Sequence, residues 1–195
     1  MGIEHRSVTE VVRLTLVSHA MTDAMAAGRF PADEPINSSG RRQLEAAAGL
    51  DIRGETRQLA GPEQRARQTA LFLGLQATTE PRLADLDCGR WRGEKLESIQ
   101  PKELEIWLTD PAQAPHGGES IVDLIDRVAG WLASLTEISL TDDILRTVVV
   151  THPAVIRAAI LLALDVPPKS FWRIDIAAVS RTLLHFRNGR WTLRL

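Results

Sequence analysis

The chain carries two matching segments, Val11-Val12-Arg13-Leu14-Thr15-Leu16-Val17-Ser18-His19 and Leu145-Arg146-Thr147-Val148-Val149-Val150-Thr151-His152. Each is a short apolar run that ends on a hydroxyl residue and a histidine. Short runs rich in β-branched residues predict buried strands, here over Val11 to Val17 and Leu145 to Val150. Since strands buried on both faces belong to sheets covered by helices, the two runs favour an α/β fold.

The rest of the chain alternates between helical and strand patterns. Helical spacing of apolar residues predicts four main helices, over residues 41–48, 66–72, 121–135 and 155–162. Ser38 or Ser39 is the expected cap of the first helix and Ser120 that of the third. A short strand is expected over Thr56 to Leu59, and a short helix over Leu104 to Leu108.

The C-terminal residues predict a β-hairpin. Asn188-Gly189 stands between two apolar runs, Thr182 to Phe186 and Trp191 to Leu193, and is a strong signal for a two-residue turn. The prediction is therefore a single α/β domain over residues 1–195 with three layers, a mixed, mostly parallel sheet and helices on both faces. Two segments without clear periodicity, 20–38 and 76–118, are predicted to be rim loops that bear function.

Composition narrows the class of protein. Of 195 residues, 44% are hydrophobic and 25% charged, which is typical of a globular domain. The net charge of -2 argues against nucleic acid as a partner. The longest apolar stretch, Ala154 to Val166, contains two charged residues and is too short for a membrane span, so no membrane partner is expected.

Cysteine usage and the N-terminal sequence favour a cytoplasmic location. Cys88 is a single cysteine and cannot form an internal disulfide. No apolar segment follows Met1 to His5, as a secretory signal would require. A reducing cytoplasm is therefore the expected compartment.

His19 and His152 are the first candidates for a functional site. Ligands of open α/β sheets bind beyond the carboxyl ends of the strands, so both rings would face one crevice if the strands are neighbours. Taken singly, each could equally be a polar loop histidine. Neither lies in an HExxH, CxxC or His-x-His spacing, so no metal and no cofactor is predicted.

Six segments resemble motifs of the histidine phosphatase superfamily, also called phosphoglycerate-mutase-like. The first two, with the family motif in parentheses, are Leu16-Val17-Ser18-His19-Ala20 (Leu-Val-Arg-His-Gly) and Asp33-Glu34-Pro35-Ile36-Asn37-Ser38-Ser39-Gly40-Arg41-Arg42-Gln43 (D-x-P-L-T-x-x-G-x-x-Q). The next two are Gly61-Pro62-Glu63-Gln64-Arg65-Ala66-Arg67-Gln68-Thr69-Ala70 (S-P-L-x-R-A-x-Q-T-A) and Asp85-Leu86-Asp87-Cys88-Gly89-Arg90-Trp91-Arg92-Gly93 (E-L-D-F-G-x-W-E-G). The last two are His116-Gly117-Gly118-Glu119-Ser120 (x-G-G-E-S) and Thr151-His152-Pro153-Ala154-Val155-Ile156-Arg157 (S-H-G-G-V-I-R). Each match alone is weak, but six in the same order are highly specific.

The resemblance implies a role for four residues. His19 would be the nucleophile that accepts the phosphoryl group, because a neutral imidazole nitrogen can attack phosphorus. Arg65 would bind the phosphoryl oxygens through its planar fork, and His152 would donate a hydrogen bond to them. Asp85 stands where the family has a glutamate as general acid, and its side chain is one methylene shorter.

The chain departs from the family pattern around His19. Ser18 replaces an arginine that binds phosphate, which would remove a contact worth about 1.5–3 kcal/mol and slow turnover by roughly one to two orders of magnitude. Thr22 is retained, whereas the family's Glu and Asn are Met21 and Met25. Ser18, Thr22 and a substituting cation, Arg29, are predicted to complete the phosphate site with Arg65.

A second departure lies beside the other histidine. Pro153 follows His152 where the family has glycine, so that position offers no backbone N–H to an oxyanion. His116, next to a Gly-Gly turn, could approach the site as well, although loop histidines usually face water.

Several functions remain open at this level. The first is a metal-independent phosphatase that hydrolyses a small phosphate ester through phosphohistidine on His19. The others are a weak or inactive member that binds a phospho-ligand, a phosphoglycerate mutase-type phosphotransferase, and an assembly role with Trp172 and Trp191 at a homodimer contact.

Overall fold

A central six-stranded sheet organises the molecule. The computed structural model describes residues 11–47, 57–142 and 146–195, and side chains are described throughout these ranges except over 138–142. The strands are β1 (Val12–Ser18), β2 (Arg57–Ala60), β3 (Thr78–Thr79), β4 (Arg146–Thr151), β5 (Arg181–Arg187) and β6 (Arg190–Arg194). Their order is β3-β2-β4-β1-β5-β6, and the first four run parallel. The predicted mixed, mostly parallel sheet is thereby confirmed.

Six α-helices accompany the sheet within the described ranges. They are α1 (Asp23–Ala26), α2 (Ser38–Ala46), α3 (Gln64–Phe72), α4 (Pro101–Thr109), α5 (Ile121–Asp142) and α6 (Pro153–Leu164). Each of the four main predicted helices corresponds to one of them. The predicted ends at Ala48, Thr56 and Leu145 lie outside the described residues. In that described part, no helix is long and apolar enough to cross a membrane.

The two faces of the sheet bury different side chains. Leu16 and Val149 pack with the apolar faces of α5 and α6, whereas Val17 and Val150 pack on the other face against α3. This alternation follows from the two-residue period of a strand. The three-layer architecture is the one predicted.

Local signals mark most element ends. Ser120 and Asp123 cap α5 reciprocally, since the Asp123 N–H donates to Ser120 Oγ at 3.1 Å and the Ser120 N–H to Asp123 Oδ2 at 3.2 Å. Asn188 and Gly189 have φ of 53° and 78° and join β5 to β6 as predicted. The expected cap of α2 was wrong, because the Asn37 side chain accepts the Gly40 N–H at 2.9 Å.

The two rim segments contain more regular structure than the sequence indicated. Segment 20–38 holds α1 and two isolated bridges, Thr22 with Ile36 and Arg29 with Lys95. Segment 76–118 contains β3, three 3₁₀ turns and α4, of which only α4 was expected, as the short helix over Leu104 to Leu108. Both segments contribute residues to a cavity at the carboxyl end of β1. The sequence did not distinguish the other short elements from irregular loop, because glycine and proline are frequent both in turns and in loops.

Candidate active site

His19 and His152 meet at the carboxyl edge of the sheet. Strands β1 and β4 are parallel neighbours with Ser18 paired to Thr151, and the His19 N–H donates to the Thr151 carbonyl at 2.9 Å. The two imidazole rings lie 5.2 Å apart between centroids and both are buried. The predicted meeting of the two histidines is therefore present in the structure.

His19 has the form that a nucleophile requires. Its Nδ1 lies 2.8 Å from the Ala20 carbonyl oxygen, and a carbonyl can only accept, so Nδ1 carries the proton. Burial, helped by electrostatic interactions with His152 and Arg65, lowers the pKa of His19 to about 3. The ring is neutral at physiological pH, and Nε2 keeps a free lone pair.

Arg65 places a buried guanidinium at the same site. It lies in the first turn of α3 and is 1% exposed, whereas Arg67 on the same helix is exposed. Its Nη1 donates to the Ala32 carbonyl at 2.6 Å and its Nη2 to Asp85 Oδ2 at 2.7 Å. Arg65, Asp85 and His19 all line the cavity at the end of β1.

Asp85 is ionised in this arrangement. Its Oδ2 contacts Arg65 and also lies 3.5 Å from His152 Nδ1. Burial alone would raise the pKa of this carboxyl, but the electrostatic interactions with His152 and Arg65 outweigh it and lower the pKa to about 2. As a carboxylate, Asp85 can accept a proton, and it can donate one only when a ligand changes the surrounding charge.

Glu63 is a site residue that the sequence reasoning missed. Its Oε2 lies 2.7 Å from His152 Nε2, off the direction of a well-aligned hydrogen bond, and its Oε1 accepts the Asp85 N–H at 3.0 Å. Burial opposes ionisation, but the contact with His152 outweighs it and lowers the pKa of Glu63. A signal was available, because Glu63 stands where the family motif has an apolar leucine.

The Thr22 hydroxyl forms hydrogen bonds to other residues of the protein. It is buried, its Oγ accepts the Met25 N–H at the start of α1, and the hydroxyl donates to Glu34 Oε1 at 3.2 Å. Glu34 also lies 3.8 Å from Arg65 Nη1 and is a second residue that the sequence reasoning missed. Thr22 therefore contacts Arg65 only through Glu34, and its predicted role in phosphate binding stays a prediction.

Ser18 and Arg29 lie in contrasting positions. Ser18 is fully buried at the end of β1, and its hydroxyl has no hydrogen-bond partner among the residues that the structure describes. It does not line the cavity, whereas the exposed Arg29 lines it together with His19. Arg29 is thus placed where a substituting cation would have to be, and contact with phosphate stays a prediction for both.

The cavity beside His19 has a volume of about 190 Å³ and a wall rich in aromatic side chains. Trp107 and Trp172 contact each other in this wall, with centroids 4.3 Å apart and ring planes tilted by 56°, and the Arg157 guanidinium lies over the Trp172 ring. Trp172, considered above for a dimer contact, therefore contributes to the wall. His116 neither faces water nor lines this cavity, because it is buried against Trp91.

The site offers groups for nucleophilic attack, anion binding and proton transfer. Among the described ranges, no group of histidine, cysteine and acidic side chains is arranged to hold a metal ion. A neutral imidazole, a buried guanidinium and a buried carboxylate within one cavity suit transfer of a phosphoryl group.

Comparison with known proteins places these residues in a family. The family model of the histidine phosphatase superfamily (branch 1) matches residues 14–195. Phosphoserine phosphatase 1 of Hydrogenobacter thermophilus is 26% identical over 191 residues, covering 92% of this chain and 89% of that protein. Glucosyl-3-phosphoglycerate phosphatase of Mycobacterium tuberculosis is 31% identical over 176 residues, covering 82% and 78%.

A solved structure agrees with these relatives. The mycobacterial glucosyl-3-phosphoglycerate phosphatase in complex with VO3 superimposes with a TM-score of 0.83 at 29% identity, covering 94% of this chain and 98% of that one. The mostly parallel sheet, the ordered motifs and the two histidines at its edge agree with this match. The chain therefore belongs to branch 1 of the histidine phosphatase superfamily.

Proposed function

We propose that the protein is a phosphatase that hydrolyses a small phosphate monoester through a phosphohistidine on Nε2 of His19. The observation that carries this proposal is the neutral His19 ring, its Nε2 unprotonated, in one cavity with the buried Arg65. Relatives named as phosphoserine and glucosyl-3-phosphoglycerate phosphatases support a small phosphorylated metabolite as substrate.

In the first step, the Nε2 lone pair attacks phosphorus in line with the ester oxygen. An N–P bond forms and the P–O bond to the leaving group breaks, while Arg65 and His152 neutralise charge on the phosphoryl oxygens. The leaving oxygen takes a proton from Asp85 and departs as an alcohol. Asp85 is left as the carboxylate.

In the second step, water attacks the phosphohistidine and the N–P bond breaks. Asp85 accepts one proton of the water, the phosphate product leaves, and His19 regains its neutral form. Once the phosphate has left, the pKa of Asp85 is again about 2, so this proton passes to solvent.

The proton of each turnover enters with the substrate. Asp85 has a pKa of about 2 in the free site and carries no proton. A phosphate monoester with a second pKa of about 6 still holds one proton below that pH. Binding of its phosphoryl group to Arg65 would separate Asp85 from its cationic partner, and the added negative charge favours transfer of the proton to the carboxylate.

The test measures p-nitrophenyl phosphate hydrolysis with EDTA present, in wild type and in His19→Ala. Wild type is expected to turn over without added metal, and His19→Ala to lose activity by at least about a thousandfold. Protein incubated with ³²P-labelled ester and denatured in SDS at alkaline pH should carry an acid-labile, base-stable label in wild type alone. Equal rates in the two proteins would refute the proposal.

A matched control uses the two arginines of α3. Arg65 is buried at the site and Arg67 is exposed, so Arg65→Gln should lower kcat/KM by at least about a hundredfold, while Arg67→Gln leaves it unchanged. Similar losses in both variants would place the effect on the helix rather than on the site.

A second candidate, a phospho-ligand-binding protein with little turnover, is favoured by Ser18. This residue is buried and outside the cavity lining, so the family's second arginine has no counterpart at that position. If phosphate binds in calorimetry while turnover is absent, this candidate replaces the first. A strong gain of turnover in Ser18→Arg would then show that the natural site is impaired.

A further inference from the structure

Glu63 joins two parts of the site through one carboxylate. Its Oε2 lies 2.7 Å from His152 Nε2, and its Oε1 accepts the Asp85 N–H at 3.0 Å. His152 is fully buried and the Glu63 side chain is 19% exposed. A carboxylate so placed affects both the charge of the ring and the position of Asp85.

Gly61 leaves the space that this carboxylate needs. The Gly61 N–H donates to the Val150 carbonyl at 2.9 Å, which ties its backbone to β4. A Cβ at position 61 would lie 2.8 Å from His152 Nε2 and 3.3 Å from Glu63 Oε2. The family motif has serine and leucine at positions 61 and 63, so both departures lie beside the same ring nitrogen.

The hydrogen-bonding capacity of the neighbouring carboxylates limits which nitrogens of the His152 ring carry a proton. An ionised carboxylate only accepts, so its approach to Nε2 favours a proton on that nitrogen. The other ring nitrogen, Nδ1, lies 3.5 Å from Asp85 Oδ2, the oxygen that Arg65 binds. The charged groups around the ring are Glu63, Asp85 and Arg65, with the neutral His19 ring on β1.

We propose that Glu63 is a positioning residue that keeps His152 protonated on both nitrogens, with Nδ1–H available to a phosphoryl oxygen. The resulting cation supplies part of the positive charge that this chain lacks at Ser18. A buried imidazolium is costly unless an anion offsets it, and Glu63 is the anion beside Nε2. The inference rests on the proposed function for the identity of the anionic ligand.

Glu63→Gln removes the negative charge beside His152 but can keep the hydrogen bond to the Asp85 N–H, which serves as the tether between residues 63 and 85. The amide oxygen can keep the Asp85 N–H, which turns the amide NH₂ toward His152 Nε2, where it can only donate. Nε2 then loses its proton and the ring becomes neutral. We expect kcat to fall about tenfold with KM changed less than about threefold, because a charge-assisted hydrogen bond becomes a neutral one. Glu63→Leu, which also removes the tether, is expected to lose more.

Nitrogen NMR reports the protonation of His152 directly, and this signal would not change if Glu63 had only a structural role. In ¹⁵N-histidine-labelled protein with inorganic phosphate, Nε2 of His152 should give a protonated-type resonance in wild type and an unprotonated-type one in Glu63→Gln. Assignment uses His152→Gln. Glu97→Gln is the matched control, since Glu97 is exposed and paired with Lys95, and it should change neither kcat nor the spectrum.

Two results would overturn the proposal. The first is wild-type kcat in Glu63→Gln, and the second is an Nε2 resonance of the protonated type in that variant, whatever its kcat. If the wild-type protein hydrolyses no ester, the proposed function fails, yet the nitrogen spectrum with phosphate still decides the role of Glu63.

Discussion

Arg65 Nη2 lies 2.7 Å from Asp85 Oδ2, so the guanidinium that would bind a phosphoryl group is already paired with a carboxylate. Both residues line the cavity that contains His19. A phosphoryl group must therefore compete with Asp85 for Arg65. The same carboxylate is proposed to transfer the proton, so its removal should affect binding and turnover in opposite directions.

Asp85→Asn is expected to strengthen inhibition by phosphate and vanadate severalfold, because Arg65 loses its anionic partner. The same variant should lower kcat by about a hundredfold or more, since proton transfer to the leaving oxygen is lost. Steady-state kinetics with p-nitrophenyl phosphate and inhibition constants for both anions measure the two effects.

Asp87→Asn is the control for this prediction. Asp87 is a nearby carboxylate that pairs with the exposed Arg92 and lies outside the cavity lining. Asp87→Asn should leave kcat and the inhibition constants for phosphate and vanadate near their wild-type values. Weaker phosphate inhibition in Asp85→Asn would contradict the competition described above.

The pH dependence of kcat/KM should have its maximum on the acid side. His19 has a pKa of about 3, so it stays neutral and nucleophilic down to about pH 4. Above about pH 6 the substrate loses the proton that it is proposed to bring, and kcat/KM should fall. Rates measured from pH 3.5 to pH 8 test this, and an acid-side loss centred near pH 6.5 would mean that His19 titrates like an ordinary histidine.

Stability should decrease as the pH falls from 7 to 5. The folded pKa of His19 is lowered, so below about pH 6.5 the unfolded chain binds a proton that the folded chain does not, and this continues to about pH 3. The free energy of unfolding should drop by about 2 kcal/mol over this interval from His19 alone.

Urea unfolding at pH 7 and pH 5 measures this loss. His19→Gln should show a smaller difference between the two pH values than wild type. Burial also lowers the pKa of His116, which acts in the same direction, so His116→Gln should reduce the difference further. An unchanged difference in both variants would assign the loss to other groups.

Gly61 and Glu63 should be energetically coupled. A Cβ at position 61 would crowd both His152 and the Glu63 carboxylate, so Gly61→Ser is expected to cost about 1–3 kcal/mol of unfolding free energy. In a Glu63→Leu background the carboxylate is gone, and the cost should be at least about 0.5 kcal/mol smaller. A double-mutant cycle by urea unfolding measures the coupling, and additive losses would contradict it.

The elements with strong local patterns were predictable. The apolar run of β4, the Ser120 cap of α5 and the Asn188-Gly189 turn all depend on residues close in the chain, and the structure contains each of them. The α2 cap was wrong, and β3 and the three 3₁₀ turns of segment 76–118 were left as loop, whereas the short helix expected over Leu104 to Leu108 corresponds to α4. Their signals are shared by several local structures, and tertiary contacts select among them.

The sequence by itself determined the sheet, its covering helices and the two histidines at one edge, because hydrophobic periodicity and the order of motifs are properties of the chain. Only the tertiary structure decided how the charges of the site are paired. Glu63, Asp85 and His152 are far apart in sequence, and their contacts depend on where separate loops end above the sheet. Charged groups interact through space over a few ångströms, and residues far apart in sequence can come this close only in the folded chain. Local sequence patterns therefore do not predict which charges pair.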